Sequence, residues 1–210
     1  MLTVGKDASR VEGQLWRGVL ACPSCGGVLG PWGWARERPV AGPGRVVRRL
    51  RPRRTRCRSC ASTHVLLPVD LLLRRFDEAS VIGRALECAS GGWGAGRISA
   101  ALEVPADTVR GWIRRFRVHA QQIRIVLWQL RAVVLADPAA IAATGGPLAD
   151  AVAAVAAFGV AVAGRWREVG DTVSAWEAVV AAFGAAFLAP ALSPVSINTS
   201  SLLPITAGGR

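Results

Sequence analysis

The chain has one lysine, Lys6, and two histidines, His64 and His119, so nearly all of its 26 basic side chains are arginine. Neither histidine stands in a serine or cysteine pattern that would mark nucleophilic catalysis. The opening MLTVGKDASRVEGQLWRG lacks the apolar core of a signal peptide. The nearest approach to a membrane span, Leu148 to Gly164, is built mainly of Ala, Val and Gly and contains Asp150. It falls short of the roughly 20 strongly apolar residues a span needs. The glycine-rich run from Gly91 to Gly96 has no lysine and follows no strand pattern, so it does not read as a phosphate-binding loop. No segment repeats at a period of about 20–50 residues. Cysteine is scarce too. Four of the five fall in two C-x-x-C pairs, which, without an export signal, reads as metal binding in a reducing cytoplasm rather than as disulfides.

What is present is apolar residue and positive charge. Half of the 210 residues are apolar, enough to bury a core in one or two small domains. The 26 basic and 14 acidic groups leave a net charge of +12. Residues 1–131 hold 23 basic and 9 acidic groups, whereas residues 132–210 hold 3 and 5. A basic front half joined to a nearly neutral, alanine-rich back half points to a polyanionic partner for the front. The expected fold is mainly α, with a small N-terminal zinc-ribbon β-hairpin, a helix-turn-helix and a C-terminal antiparallel helical bundle. The corresponding segments are 1–20 (little pattern), 21–68 (ribbon), 69–118 (helix-turn-helix), 119–190 (bundle) and 191–210 (disordered tail).

Cys22-Pro-Ser-Cys25 and Cys57-Arg-Ser-Cys60 each place two thiolates on one side of a tight turn. Two such turns brought together make a tetrahedral four-sulfur site, the closed geometry of structural Zn²⁺. The 31 residues between the pairs fit a long hairpin. Val28 to Arg36 is one strand, Pro39 to Gly44 the turn, and Arg45 to Arg56 the return, with Pro52 at an edge or bulge. His64, four residues beyond Cys60, is an alternative ligand in place of one cysteine. Cys88 lies in a helical pattern and reads as a small buried hydrophobe. Eight arginines fall within residues 45–58, with no acid among them. A solvated edge rarely needs so many; a surface that follows phosphates does. Arg48, Arg51 and Arg54 are the phosphate-contact candidates.

Phe76 to Cys88 reads as a helix with Asp77 as N-cap, followed by a break at Gly91–Gly94. In the next stretch Ile98, Ala101 and Leu102 share one face, Val104 plugs a turn, and Val109, Trp112, Ile113 and Phe116 share the face of a second helix that starts at Pro105. This is helix-turn-helix spacing, in which the second helix enters the major groove. Its outward residues Asp107, Thr108, Arg110, Arg114 and Arg115 are the DNA-contact candidates, Arg110 and Arg114 for base edges. The run resembles the homeodomain-like helix-turn-helix of bacterial transposases, I-x-x-x-L-x-V-(S/P)-x-x-T-V-x-x-W-(I/L). It matches at Ile98, Leu102, Val104, Pro105, Thr108, Val109, Trp112 and Ile113. It departs at Glu103, where glycine is usual, and at Pro105, where serine is commoner. Ribbon plus helix-turn-helix is similar to the DNA-binding front end of insertion-element transposases, and to a family of short proteins of high-GC bacterial mobile elements that pairs the two modules. The resemblance implies double-stranded DNA binding and covers roughly residues 20–118.

The acids downstream of Phe116 are Asp137, Asp150, Glu168, Asp171 and Glu177. They lie in helical context or at helix ends, and about 90 residues are too few for the ribonuclease-H-like core of such transposases. Asp137, Asp150 and Asp171 read as helix-start residues. No enzyme and no small-molecule substrate are expected. The functional expectation is sequence-specific DNA binding in the cytoplasm, on the nucleoid, as a transposition accessory factor or a transcriptional regulator. Two alternatives stand beside it: a membrane-attached regulator using the 148–188 helices, and a ribbon that binds RNA or protein.

Three apolar stripes organise the back half. The first runs Val109, Ile113, Phe116, Ala120, Ile123, Leu127, Leu130, Val134 in steps of four and three, so the recognition helix should continue unbroken to about Ala136. The second is Leu148, Val152, Val155, Gly159, Val162, Trp166. The third is Val173, Trp176, Val180, Phe183, Phe187. They can close as a bundle within one chain. The small faces of residues 149–164 and 181–186 also allow a homodimer through the C-terminal helices.

Overall fold

The computed structural model describes residues 1–135, 145–166 and 173–188. In chain order these form β1 (Leu2–Val4), α1 (Ala8–Trp16), β2 (Leu29–Trp34), β3 (Arg38–Ala41), β4 (Val47–Leu50), β5 (Arg53–Cys57), β6 (Thr63–Pro68), α2 (Ala79–Ser90), α3 (Ala95–Leu102), α4 (Ala106–Val134), α5 (Pro147–Arg165) and α6 (Ala175–Phe183). The architecture is mixed, a β-rich front and an all-helical back, and the expectation of a mainly α chain is corrected accordingly.

The first twenty residues, in which the sequence shows little pattern, supply a sheet strand and a packed helix. β1 pairs parallel to β6 in the register Leu2↔Leu66, and the four-stranded sheet runs β1-β6-β5-β2. Asp7 caps α1 by accepting from the Arg10 N–H at 3.0 Å. Val11 and Leu15, one turn apart, then lie buried with Leu2, Val4, Leu20, Leu29 and Leu66. Sequence had missed this because β1 offers only three residues of alternation.

The single long hairpin becomes two. β2 and β5 pair antiparallel with a bulge between Pro31 and Trp34, whereas β3 and β4 form a separate two-stranded sheet. The strands part at Pro52, which has no N–H to continue the ladder. Its carbonyl still accepts from Ala35 at 2.8 Å. The small sheet docks on the chain entering α2: Ala41 N–H donates to Phe76 O, and Glu78 N–H donates to Ala41 O. Leu66 and Leu67 on β6 face opposite ways, one into the ribbon core and one against Val40, Leu71 and Ala185.

α2 starts at Ala79, later than expected. Asp77 is not its N-cap; Glu78 holds that position without a side-chain cap bond, and the buried Asp77 carboxylate accepts from Arg45 instead. Cys88 is buried in this helix as expected. α3 and α4 follow. Val104 in the turn and Val109, Trp112, Ile113 and Phe116 on α4 are all buried, and Leu102 is partly so. Ala101 is exposed, contrary to the expected inward face.

α4 runs 29 residues without a break, about 44 Å at 1.5 Å per residue. Its stripe is buried from Val109 to Leu127, with Leu130 and Val134 packed at the rim. α5 turns a slightly different face inward. Ala151, Ala154, Val155, Phe158, Ala161 and Val162 are buried, while Leu148, Val152 and Trp166 pack at its margins. Asp150 lies in its first turn. α6 is capped by Ser174 and Glu177, each side chain bonding the other's backbone N–H. Residues from α2 to α6 share one core, so the division near residue 118 between helix-turn-helix and bundle disappears. The helix starts expected at Asp137 and Asp171, and the tail 191–210, lie outside the described residues.

Candidate metal centre and nucleic-acid interface

The Cys22–Cys25 turn is closed by Gly26 N–H to Cys22 O at 2.8 Å and Cys22 N–H to Gly27 O at 2.7 Å. Gly26 sits at φ +73°, in the left-handed region. A Cβ on Gly27 would stand 2.4 Å from Ser59 Oγ and 3.1 Å from Cys57 Sγ, so glycine is what lets the second turn approach the first. That second turn aims the backbone N–H groups of Ser59 and Cys60 at Cys57 Sγ, at 3.4 and 3.5 Å.

The four sulfurs all lie within 4.8 Å of one another, the one such cluster of metal-ligating side chains among the described residues. Cys25 Sγ is 3.5 Å from Cys57 Sγ and Cys22 Sγ is 3.8 Å from Cys60 Sγ. A tetrahedron with metal–sulfur bonds near 2.3 Å has sulfur–sulfur edges of about 3.8 Å, so the cage has the size of a four-thiolate site. Backbone N–H donors lower Cys57, chiefly that of Cys60. Ser62, through side chain and backbone, pulls Cys60 down to about 6. The Gly27 N–H works to lower Cys25, but the thiols of Cys60 and Cys57 outweigh it and push Cys25 up to about 12. Four thiols this close cannot all ionise without a cation among them.

His64 is not one of the four. Its buried ring stands behind Cys22, with Nε2 3.4 Å from Cys22 Sγ and Nδ1 3.2 Å from the Met1 amino group. Burial, then the Met1 charge, lower its pKa and keep it neutral. The ring thus lies between the Met1 amino group and the Cys22 sulfur, where an outer-shell partner of a metal thiolate stands. Sequence flagged His64 for proximity to Cys60 and missed Ser62.

The DNA-contact candidates divide into two groups. On α4, Asp107, Arg110 and Arg114 are exposed, and Thr108 and Arg115 are half-buried. Arg110 donates to Asp107 at 2.6 Å, but both side chains are mostly in solvent, where such a pair contributes only about 0–1 kcal/mol and opens readily. The turn before α4 is shaped by Glu103, at φ 53° and ψ 39°, whose N–H bonds Ser99 O. Pro105 stands at the N-cap, so the helix starts at Ala106, one place after the expected Pro105.

On the ribbon, Arg51 and Arg54 are exposed. Arg48 is not available in the same way. It donates to Asp70 at 2.5 Å and to Glu78 at 2.9 Å, tying β4 to the start of α2. Burial raises the Asp70 pKa, and Arg48 opposes that shift. Arg48 thus has a structural pairing beside the phosphate role expected of it, one that sequence could not foresee because its acids lie more than twenty residues away. Exposed Trp32 and Trp34 were also missed; the signal was a tryptophan-rich β2 opposite the arginines of β5.

No protein-family model, curated protein or solved structure matches this chain.

Proposed function

We propose that this protein binds double-stranded DNA sequence-specifically through α3 and α4, with a structural Zn²⁺ held by Cys22, Cys25, Cys57 and Cys60, as a transposition accessory factor or a transcriptional regulator. The observation that carries the reading is α3, a tight left-handed turn at Glu103 and α4, whose buried face is apolar and whose N-terminal outer face carries Arg110 and Arg114. The four-sulfur cage supports zinc, because a closed set of soft thiolates suits that ion and leaves no open position for catalysis. A bound cation would hold the two turns together; the protein's own part is the backbone N–H groups of Ser59 and Cys60 that steady the Cys57 sulfur, with His64 packed behind Cys22.

Selection of bound duplexes from a random pool tests the reading, and should return a recurrent motif. On that motif Arg110→Ala and Arg114→Ala should each relax discrimination at one base pair, by about 1–3 kcal/mol. Arg51→Ala and Arg54→Ala should weaken all duplexes alike and flatten the salt dependence. Equal weakening of every duplex by Arg110→Ala would remove the base-reading role. A homodimer through the C-terminal helices would set the spacing of two half-sites, and sedimentation with and without the selected duplex tests it. The membrane-attached alternative has one feature behind it. α5 is long and apolar enough to cross a bilayer, but its inner face packs with α4 and α6, the position of a core helix.

A further inference from the structure

The ribbon's outer face carries a second constellation, separate from α4. On β5, Thr55 and Cys57 point inward, leaving Arg54 and Arg56 on the outer face, with Arg58 exposed just beyond the strand. Opposite them on β2, Trp32 and Trp34 are about half exposed. The Arg56 guanidinium lies 4.7 Å from the Trp32 ring centre and that of Arg53 lies 4.7 Å from Trp34. Arg53 is also tied to Glu12, whereas Arg56 donates to Ala61 O at 3.3 Å and has no carboxylate partner among the described residues. Between Gly30, Trp32, Arg56, Arg58 and Ala61 opens a cavity of about 440 Å³, within the range of small-ligand sites.

We propose that this face binds single-stranded DNA, stacking an unpaired base on Trp32 and Arg56 while Arg54 and Arg58 meet the flanking phosphates. Planar groups beside free guanidinium charge are what sequence-tolerant single-strand sites are made of. The charge is one-sided. No acid lines the cavity, and the nearby Glu12 and Glu37 are engaged by Arg53 and Arg49. The lining includes no hydroxyl, amide or carboxylate side chain, so the proton of a ribose 2′-OH finds no side-chain oxygen to accept it there. The inference shares only Arg54 with the duplex reading and uses none of the α4 residues, and the variants that test it leave Arg54 in place.

The test is fluorescence anisotropy of the full chain with a labelled dT oligomer about ten nucleotides long, within the usual site size. An abasic oligomer, an rU oligomer and polyglutamate of similar length are run beside it. Trp32→Ala and Arg56→Lys should each weaken dT binding about fivefold or more, the scale of one lost base stack, while Trp32→Phe keeps most of it. The abasic oligomer should bind at least about fivefold more weakly than dT, and rU no more tightly. Duplex binding through α4, measured on the same variants, should change far less, so the two readings fail independently. Equal binding of dT and abasic strands, a clear preference for rU, equal competition by polyglutamate, or unchanged binding by both Trp32→Ala and Arg56→Lys would overturn the proposal.

Discussion

Glu103 sits in a backbone region that costs an L-residue about 1–2 kcal/mol, at the position where the resembled motif carries glycine. Its side chain is exposed, so little packing repays that strain. Glu103→Gly should therefore stabilise the chain by about 0.5–1 kcal/mol, after the extra backbone entropy glycine loses on folding. Urea unfolding of the two proteins measures it, and a destabilised Glu103→Gly would mean that the turn is held by contacts the exposed side chain makes. Arg48 shows the opposite case. Its charge belongs to a pairing with Asp70 and Glu78 that joins two elements, so counting arginines along β4 and β5 overstates the free positive surface.

Among the elements, α2 and α6 meet at a place where one methyl group is too many. A Cβ on Gly83 would stand 2.2 Å from Trp176 Cδ1, and the indole cannot swing freely because its N–H donates to Glu87 at 2.8 Å. In a solvated helix Gly→Ala gains about 1 kcal/mol. Here Gly83→Ala should instead lose about 1–3 kcal/mol, read as a lower urea midpoint. The ribbon depends on a different device. Its core is a handful of side chains around Leu29 and Leu66, with the two cysteine turns at one end. Chelation should unfold the ribbon first and leave the helical signal of α4 to α6 largely in place. Cys57→Ser should lose the metal by elemental analysis, and a freshly purified wild type without bound metal would remove Zn²⁺ from the account.

For the whole molecule the consequence is that the helix-turn-helix cannot be cut free. Phe116 packs edge-on against Trp176 at 5.8 Å and Phe187 at 5.9 Å between ring centres, so α4 borrows its core from the C-terminal elements. A fragment ending at residue 118 should lose the α2–α4 fold, seen as lost helical circular dichroism, and with it the duplex binding proposed for α4. Leu127→Asp in the full chain should do much the same, since it places a charge in that shared core. The two halves are also joined directly, by Thr3 Oγ1 accepting from Ala185 N–H at 3.0 Å and by Lys6 with Glu177 at 3.3 Å.

The features legible in the sequence are those with a short period or a short spacing. The C-x-x-C turns, the four-three rhythm of α4 and the Ile98–Ile113 motif each depend on residues a few positions apart, where local geometry dictates which side chains share a face. Sequence alone therefore marked the four clustered cysteines, the buried face of α4 and the turn ahead of it. Tertiary structure decided what depends on distant partners. It recruited Leu2–Val4 to a sheet with Thr63–Pro68, split one hairpin in two at Pro52, moved Asp77 from a cap to an ion pair with Arg45, and paired Arg48 with Asp70 and Glu78. The physical reason is common to all four. Strand pairing and ion pairing select a partner by proximity in space, and no local period in the chain records which strand or which carboxylate will be there.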